Sequence, residues 1–113
     1  MKKILLSLFF VSTTVLLGQR AIYTDNDGDG VIEYTLYDDF GKVSETGYYY
    51  NKKMVGTWTA FYPNGKKKLV AKFKNGLKNG TWLVYDEKGR VLNQIVYKED
   101  KKISASQYRY AAN

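Results

Sequence analysis

Between Tyr34 and Ser104 the chain repeats itself with a period of 24 residues. Gly41, Gly65 and Gly89 stand one period apart. So do Tyr34, Trp58 and Trp82, then Tyr37, Phe61 and Tyr85, then Tyr49, Phe73 and Tyr97. Gly56 matches Gly80, with Ser104 in the third copy, and Asn51 matches Asn75, with Glu99 in the third. Agreement at so many positions with one period is not accidental, and it makes this a repeat architecture. The copies run Tyr34–Gly56, Thr57–Gly80 and Thr81–Ser104.

Each copy reads as a β-hairpin. In the middle copy Thr57–Tyr62 is β-branched and aromatic, and Pro63-Asn64-Gly65 follows as a turn. Lys67, Leu69, Ala71 and Phe73 then alternate with Lys68, Val70, Lys72 and Lys74, the period-two pattern of a strand with one more apolar face. Val43, Glu45, Gly47 and Tyr49 occupy that face in the first copy, and Val91, Asn93, Ile95 and Tyr97 in the third. Asn75-Gly76 and Asn79-Gly80 are read as turning the chain into the next unit. The expected strands are Ile32–Tyr37, Val43–Tyr50, Thr57–Tyr62, Lys67–Lys74, Thr81–Tyr85 and Val91–Lys98, with a short seventh at Ile103–Tyr108. The fold class is therefore all-β: a single-layer antiparallel meander of six to seven strands from three tandem hairpins. With no covering helix, one face of such a sheet stays largely open. Residues 105–113 read as a tail or a short edge strand.

The N-terminus follows a different pattern. Lys2 and Lys3 precede an apolar stretch from Ile4 to Leu17, and Gly18, Gln19, Arg20 and Ala21 come after it. This describes a signal-peptide helix over residues 1–20, with cleavage between Gly18 and Ala21 and export to the periplasm or the outside. Retention as an anchor is the alternative, although the stretch is short for a span of about 20 apolar residues. The chain has no cysteine, so neither disulfides nor a lipoprotein thiol are available to it. All 11 Tyr and both Trp follow the leader, where such residues suit half-exposed sheet faces.

Tyr62-Pro63-Asn64-Gly65-Lys66, then Lys72-Phe73-Lys74-Asn75-Gly76, then Gly80-Thr81-Trp82, closely resembles the MORN-repeat variant pattern. Gly47-Tyr48-Tyr49-Tyr50-Asn51 with Gly56-Thr57-Trp58 is similar to it as well. The resemblance covers about residues 34 to 104 and implies a hairpin sheet. It also implies a membrane-associating or protein-binding scaffold, or the antitoxin role whose name many bacterial members of the YwqK type carry. The third copy departs from the pattern, with Lys88-Gly89-Arg90 and Glu99-Asp100, and reads as a terminal cap.

Residues 21–33 form an acidic Asp/Gly segment ahead of the repeats, read as a loop. Within it, Asp25, Asp27 and Asp29 alternate before Gly30, as in the first half of an EF-hand-like loop. Calcium needs several oxygens around one centre, and Asp25, Asp27, Asp29, the Val31 carbonyl and Glu33 are the candidate ligands of a weak calcium site. Position twelve of the loop is Leu36 instead of a bidentate Glu, and an Asp/Gly turn into the first strand is the competing reading. No other cofactor is expected.

Charge is unevenly spread. The net charge is +7, and +5 without Lys2 and Lys3. Residues 20–33 carry −3, the first copy is neutral, and the third is +1. The middle copy carries Lys66, Lys67, Lys68, Lys72, Lys74 and Lys78 without an acid. Such a basic patch suits an anionic membrane or polymer, or the acidic loop of the chain itself; a solvated face that guards strand edges is the plain alternative. Export argues against nucleic acid as the partner. There is no His or Cys, and Asp38-Asp39 and Asp86-Glu87 fall in turns, so the sequence reads as non-enzymatic. The leading expectation is a protein-binding scaffold whose interaction face includes Trp58, Phe61, Phe73, Trp82, Tyr85 and Tyr97. Free sheet edges also allow a homodimer by edge pairing.

Overall fold

In the computed structural model, residues 18–111 are described, and the expected signal-peptide helix lies almost wholly outside them. They form one antiparallel sheet of nine strands. These are β1 (Arg20–Thr24), β2 (Val31–Tyr37), β3 (Val43–Tyr50), β4 (Lys53–Phe61), β5 (Lys67–Lys74), β6 (Leu77–Lys78), β7 (Gly80–Tyr85), β8 (Val91–Lys98) and β9 (Lys101–Gln107). Apart from β6 and β7, which both pair with β5, neighbours in sequence are neighbours in the sheet, so the expected meander holds with more strands than anticipated.

The extra strands extend the repeat at both ends. Arg20–Thr24 is a strand, not part of the acidic loop, and pairs along its whole length with β2. Ala21 stands one period before Glu45, so β1 is the return strand of a partial copy. At the other end the strand is Lys101–Gln107, shifted from the expected Ile103–Tyr108. It follows Glu99-Asp100, so the third copy does not end the sheet as a cap. β9 is the outgoing strand of a further partial copy. Pairing to β8 supplies what the intrinsic preferences of the polar Lys101–Gln107 do not.

Two kinds of turn alternate. Return strands pass to outgoing strands through the pairs Asn51-Lys52, Asn75-Gly76 and Glu99-Asp100. All six residues have positive φ, from 47° to 82°, the signature of a type I′ hairpin. Asn79-Gly80, expected as a second turn, is instead an interruption between β6 and β7, with Gly80 at φ 117°. Gly56 matches it at φ 69° but does not break β4, which starts at Lys53, before the expected Thr57.

At the opposite end, five-residue turns span 38–42, 62–66 and 86–90. In each, the first residue's amide donates to the fifth residue's carbonyl, at 2.7–2.8 Å. Asp38 Oδ1 also accepts from the Phe40 and Lys42 amides, and Asp86 Oδ1 from the Lys88 and Arg90 amides. The middle turn has Tyr62 in that place and uses Asn64 Oδ1 to hold the Lys66 amide. The stacked turns are tied together: Tyr62 Oη donates to the Tyr85 carbonyl at 2.6 Å, and Asn64 Nδ2 to the Glu87 carbonyl at 2.9 Å.

Burial is confined to one face. Ala21, Ile32, Trp58 and Ala71 are the buried apolar residues, and all lie on the side that carries the repeat aromatics. Among the described residues no second layer covers the sheet, so its core there is made from its own side chains, and the rings supply it.

Candidate functional site

On that face the rings form one continuous row. Tyr23, Tyr34, Tyr49, Trp58, Phe73, Trp82 and Tyr97 follow one another with successive centroids 5.1–6.3 Å apart, several of them edge to face. Such pairs add about 0.5–1.5 kcal/mol beyond area burial. The two tryptophans are also pinned through their indoles. Trp58 Nε1 donates to the Tyr48 carbonyl at 3.2 Å, and Trp82 Nε1 to the equivalent Lys72 carbonyl at 3.0 Å.

Gly47 makes room for this arrangement. A Cβ there would overlap the Trp58 indole. The positions equivalent to Gly47 and Trp58 are Ala71 and Trp82, then Ile95 and Ser106. Where the ring is a tryptophan, the residue eleven before it is small. Where Ser106 replaces the ring, the branched Ile95 is accommodated.

Beside the rings runs a second row, aligned across the sheet by strand register: Ala21, Leu36, Glu45, Ala60, Leu69, Val84, Asn93 and Gln107. Glu45 is its one ionisable member. Between the rows, centred on the middle copy, lies a hollow of about 90 Å³ lined by Glu45, Met54, Trp58, Leu69, Phe73 and Trp82, among others. Burial among these groups pushes the Glu45 carboxyl above its ordinary value. Burial, and then the nearby Glu45 charge, push the Tyr34 hydroxyl up well beyond the usual phenol range. Among the described residues the one ion pair lies elsewhere, between Arg90 Nε and Asp86 Oδ2 at 2.9 Å, and no hydrogen bond to the Glu45 carboxyl is formed.

The sequence-predicted face is partly assembled here. Phe73, Trp82 and Tyr97 are half-buried members of the row, whereas Trp58 is only 5% exposed and is chiefly core. Phe61 and Tyr85 lie at the register shifts next to the five-residue turns and have no place in the row of ring contacts. Glu45 was not singled out from sequence. Its signal is a carboxylate at the position where neighbouring copies have Ala21 and Leu69.

The six lysines do not form one stripe. Lys68, Lys72 and Lys74 alternate with Leu69, Ala71 and Phe73 and so point to the reverse face. Lys67 falls on the ring-face alternation at the turn end of β5, and Lys66 sits in a turn with Nζ 3.4 Å from the Lys88 carbonyl. Lys78 Nζ lies over the Trp82 and Tyr97 rings, 5.4 and 5.0 Å from their centroids. The reverse face adds the exposed Tyr48 and Tyr50.

Two carboxylates of the Asp25–Gly30 loop accept from backbone amides in the loop and at its flank. Asp25 Oδ1 accepts from the Gly28 amide and Asp29 Oδ1 from the Val31 amide, each at 2.9 Å. Glu33, on β2 opposite Thr24, accepts from Asn26 Nδ2 at 3.3 Å. Among the described residues no three Asp or Glu side chains come together in a metal-holding group, so Asp25, Asp27, Asp29, Val31 and Glu33 do not share one centre. Asp25 and Asp29 each satisfy a backbone amide, as acids in turns do.

Residues 54–75 and 78–99 each match the family model described as MORN repeat variant. These two adjacent segments are MORN repeats, and the first copy and both partial copies continue their period in the same sheet. MORN repeats are in general protein- or membrane-binding modules and in general non-catalytic. No curated protein and no solved structure matches the chain.

Proposed function

We propose that this protein is an exported, non-enzymatic binding module that takes a protein partner on its ring face. The observation that supports this reading is the hollow between the two rows, with apolar walls and a half-buried carboxylate that has no counter-charge among the described residues. Apolar walls around one acidic group suit a basic side chain, whose aliphatic stem packs on Trp82 and Leu69 while its head meets Glu45. Leu69→Glu and Glu45→Gln test it. Each is expected to weaken capture of envelope proteins by the immobilised module, with circular dichroism unchanged. Full capture by both folded variants contradicts the reading.

A second reading, binding to an anionic membrane, draws on the reverse face. There Lys72 and Lys74 share the face with the exposed Tyr48 and Tyr50. Basic and aromatic residues together suit a headgroup layer. It predicts salt-sensitive binding to vesicles of anionic phospholipid that falls when Lys68, Lys72 and Lys74 become Gln. Binding unchanged by salt, or by the substitutions, rules it out.

A further inference from the structure

The two edges of the described sheet are complementary halves of the repeat. Outgoing and return strands pair within each complete copy, as β2 with β3, β4 with β5, and β7 with β8. β1 is a return strand without an outgoing partner, and β9 an outgoing strand without a return partner; both are edges among the described residues. The segment after β9 is held back toward β8, with the Tyr108 amide on the Leu92 carbonyl at 2.8 Å and Tyr110 Oη on the Val91 carbonyl at 2.7 Å. It does not cover the outer edge of β9.

We propose that β9 of one copy pairs with β1 of a second copy of this chain, head to tail, completing a hairpin-like unit across the junction. The repeat predicts the register. Thr57 faces Lys72 and Thr81 faces Val96, which sets Ala105 against the second copy's Thr24. Trp58 faces Ala71 and Trp82 faces Ile95, which sets Ser106 against Tyr23. Thr59 faces Val70 and Leu83 faces Gln94, which sets Gln107 against Ile22.

Side-chain size and charge both fit this register. Within complete copies a large ring on the outgoing strand stands opposite a smaller residue on the return strand. At the edges the sizes are exchanged: Ser106 is small where Trp58 and Trp82 are large, and Tyr23 is large where Gly47 and Ala71 are small. Tyr23 therefore has the space above Ser106 that a tryptophan takes elsewhere, and it carries the ring row on from Tyr97. At the same end of the strands the loop with Asp25, Asp27 and Asp29 comes beside Lys101 and Lys102. Edge strands commonly block such pairing with lysine, but these two lysines lie outside the paired stretch and face acids. A contact between two different edges does not close on itself as a two-fold dimer does, so it builds an open array.

Sedimentation of the purified protein across micromolar to millimolar concentration tests this. The average mass of the native chain is expected to climb with concentration through an open series, and less steeply as salt is raised. Tyr23→Lys blocks one edge and Ser106→Lys the other, so each alone is expected to be monomeric. An equimolar mixture has one intact edge of each kind and is expected to stop at a one-to-one dimer. Thr24→Lys replaces Tyr23→Lys if circular dichroism shows that the latter does not fold. A native chain monomeric throughout, a single variant that dimerises alone, or a mixture that stays monomeric each overturns the proposal.

Discussion

The junction between β3 and β4 and the junction between β8 and β9 occupy equivalent places in the repeat but are built differently. At the first, Trp58 lies over Gly47 and is almost fully buried. At the second, Ile95 and Ser106 fill the same two positions, and every residue of β9 is exposed. Backbone pairing is present in both. The contrast shows that strand pairing alone extends this sheet, while between these two junctions burial goes with a ring fitted over a small residue.

The contrast is broken most directly by removing the ring. Trp58→Ala is expected to cost about 3–5 kcal/mol in denaturant unfolding, the range for emptying a large aromatic site. Ser106→Ala, at the equivalent place, is expected to change stability by less than about 0.5 kcal/mol, as exposed substitutions do. Equal effects would mean that the ring is not what distinguishes the two junctions. Filling the small position comes next: Gly47→Ala forces the indole aside and is expected to cost about 1–3 kcal/mol. A chain carrying Gly47→Ala that unfolds like the native one would remove the close approach from the explanation.

Type I′ turns give a smaller test. Lys52 holds φ 66° in a turn whose equivalent in the next copy is Gly76. A left-handed non-glycine residue costs roughly 1–2 kcal/mol, so Lys52→Gly is expected to stabilise the chain by up to about 1 kcal/mol. Loss of stability would show that the lysine side chain has a role there.

Two acids give opposite pH behaviour, expected to be the smallest effects. Arg90, through its backbone amide first and then its guanidinium, with the Lys88 amide assisting, holds the Asp86 carboxyl below its ordinary value. Its contribution is therefore present above the unfolded carboxyl value and lost as pH falls through the folded one. Burial pushes Glu45 the other way. Its protonated form suits the fold, so stability is full below the unfolded value and declines as pH rises through the folded one. Melting curves from pH 3 to neutral are thus expected to show Asp86→Asn weakening the protein mainly at neutral pH, and Glu45→Gln strengthening it there. The reverse order would contradict the placement of both carboxyls.

Much of the fold was legible because turns and rings recur at fixed spacing. Asn75-Gly76 and the glycines at 41, 65 and 89 announce their turns through backbone chemistry that few other residues satisfy. The outer strands were harder. Arg20–Thr24 lies between an apolar stretch and an Asp-rich segment and reads with its neighbours, and Lys101–Gln107 is polar at both ends, so the expected Ile103–Tyr108 misplaces its bounds. Nor does one sequence position disclose that Gly47 underlies Trp58, since that contact joins consecutive copies. The candidate site was half legible for the same reason. Its rings follow the period, whereas Glu45 is a departure from it that gains meaning only beside Ala60, Leu69 and the Trp58 indole.

The fit between ring and small residue is measured most directly by a double-mutant cycle on Gly47→Ala and Trp58→Leu, read as unfolding free energy. If the two positions form one unit, Gly47→Ala should cost clearly less once the indole is gone, with a coupling of about 1–2 kcal/mol. Strict additivity would contradict it.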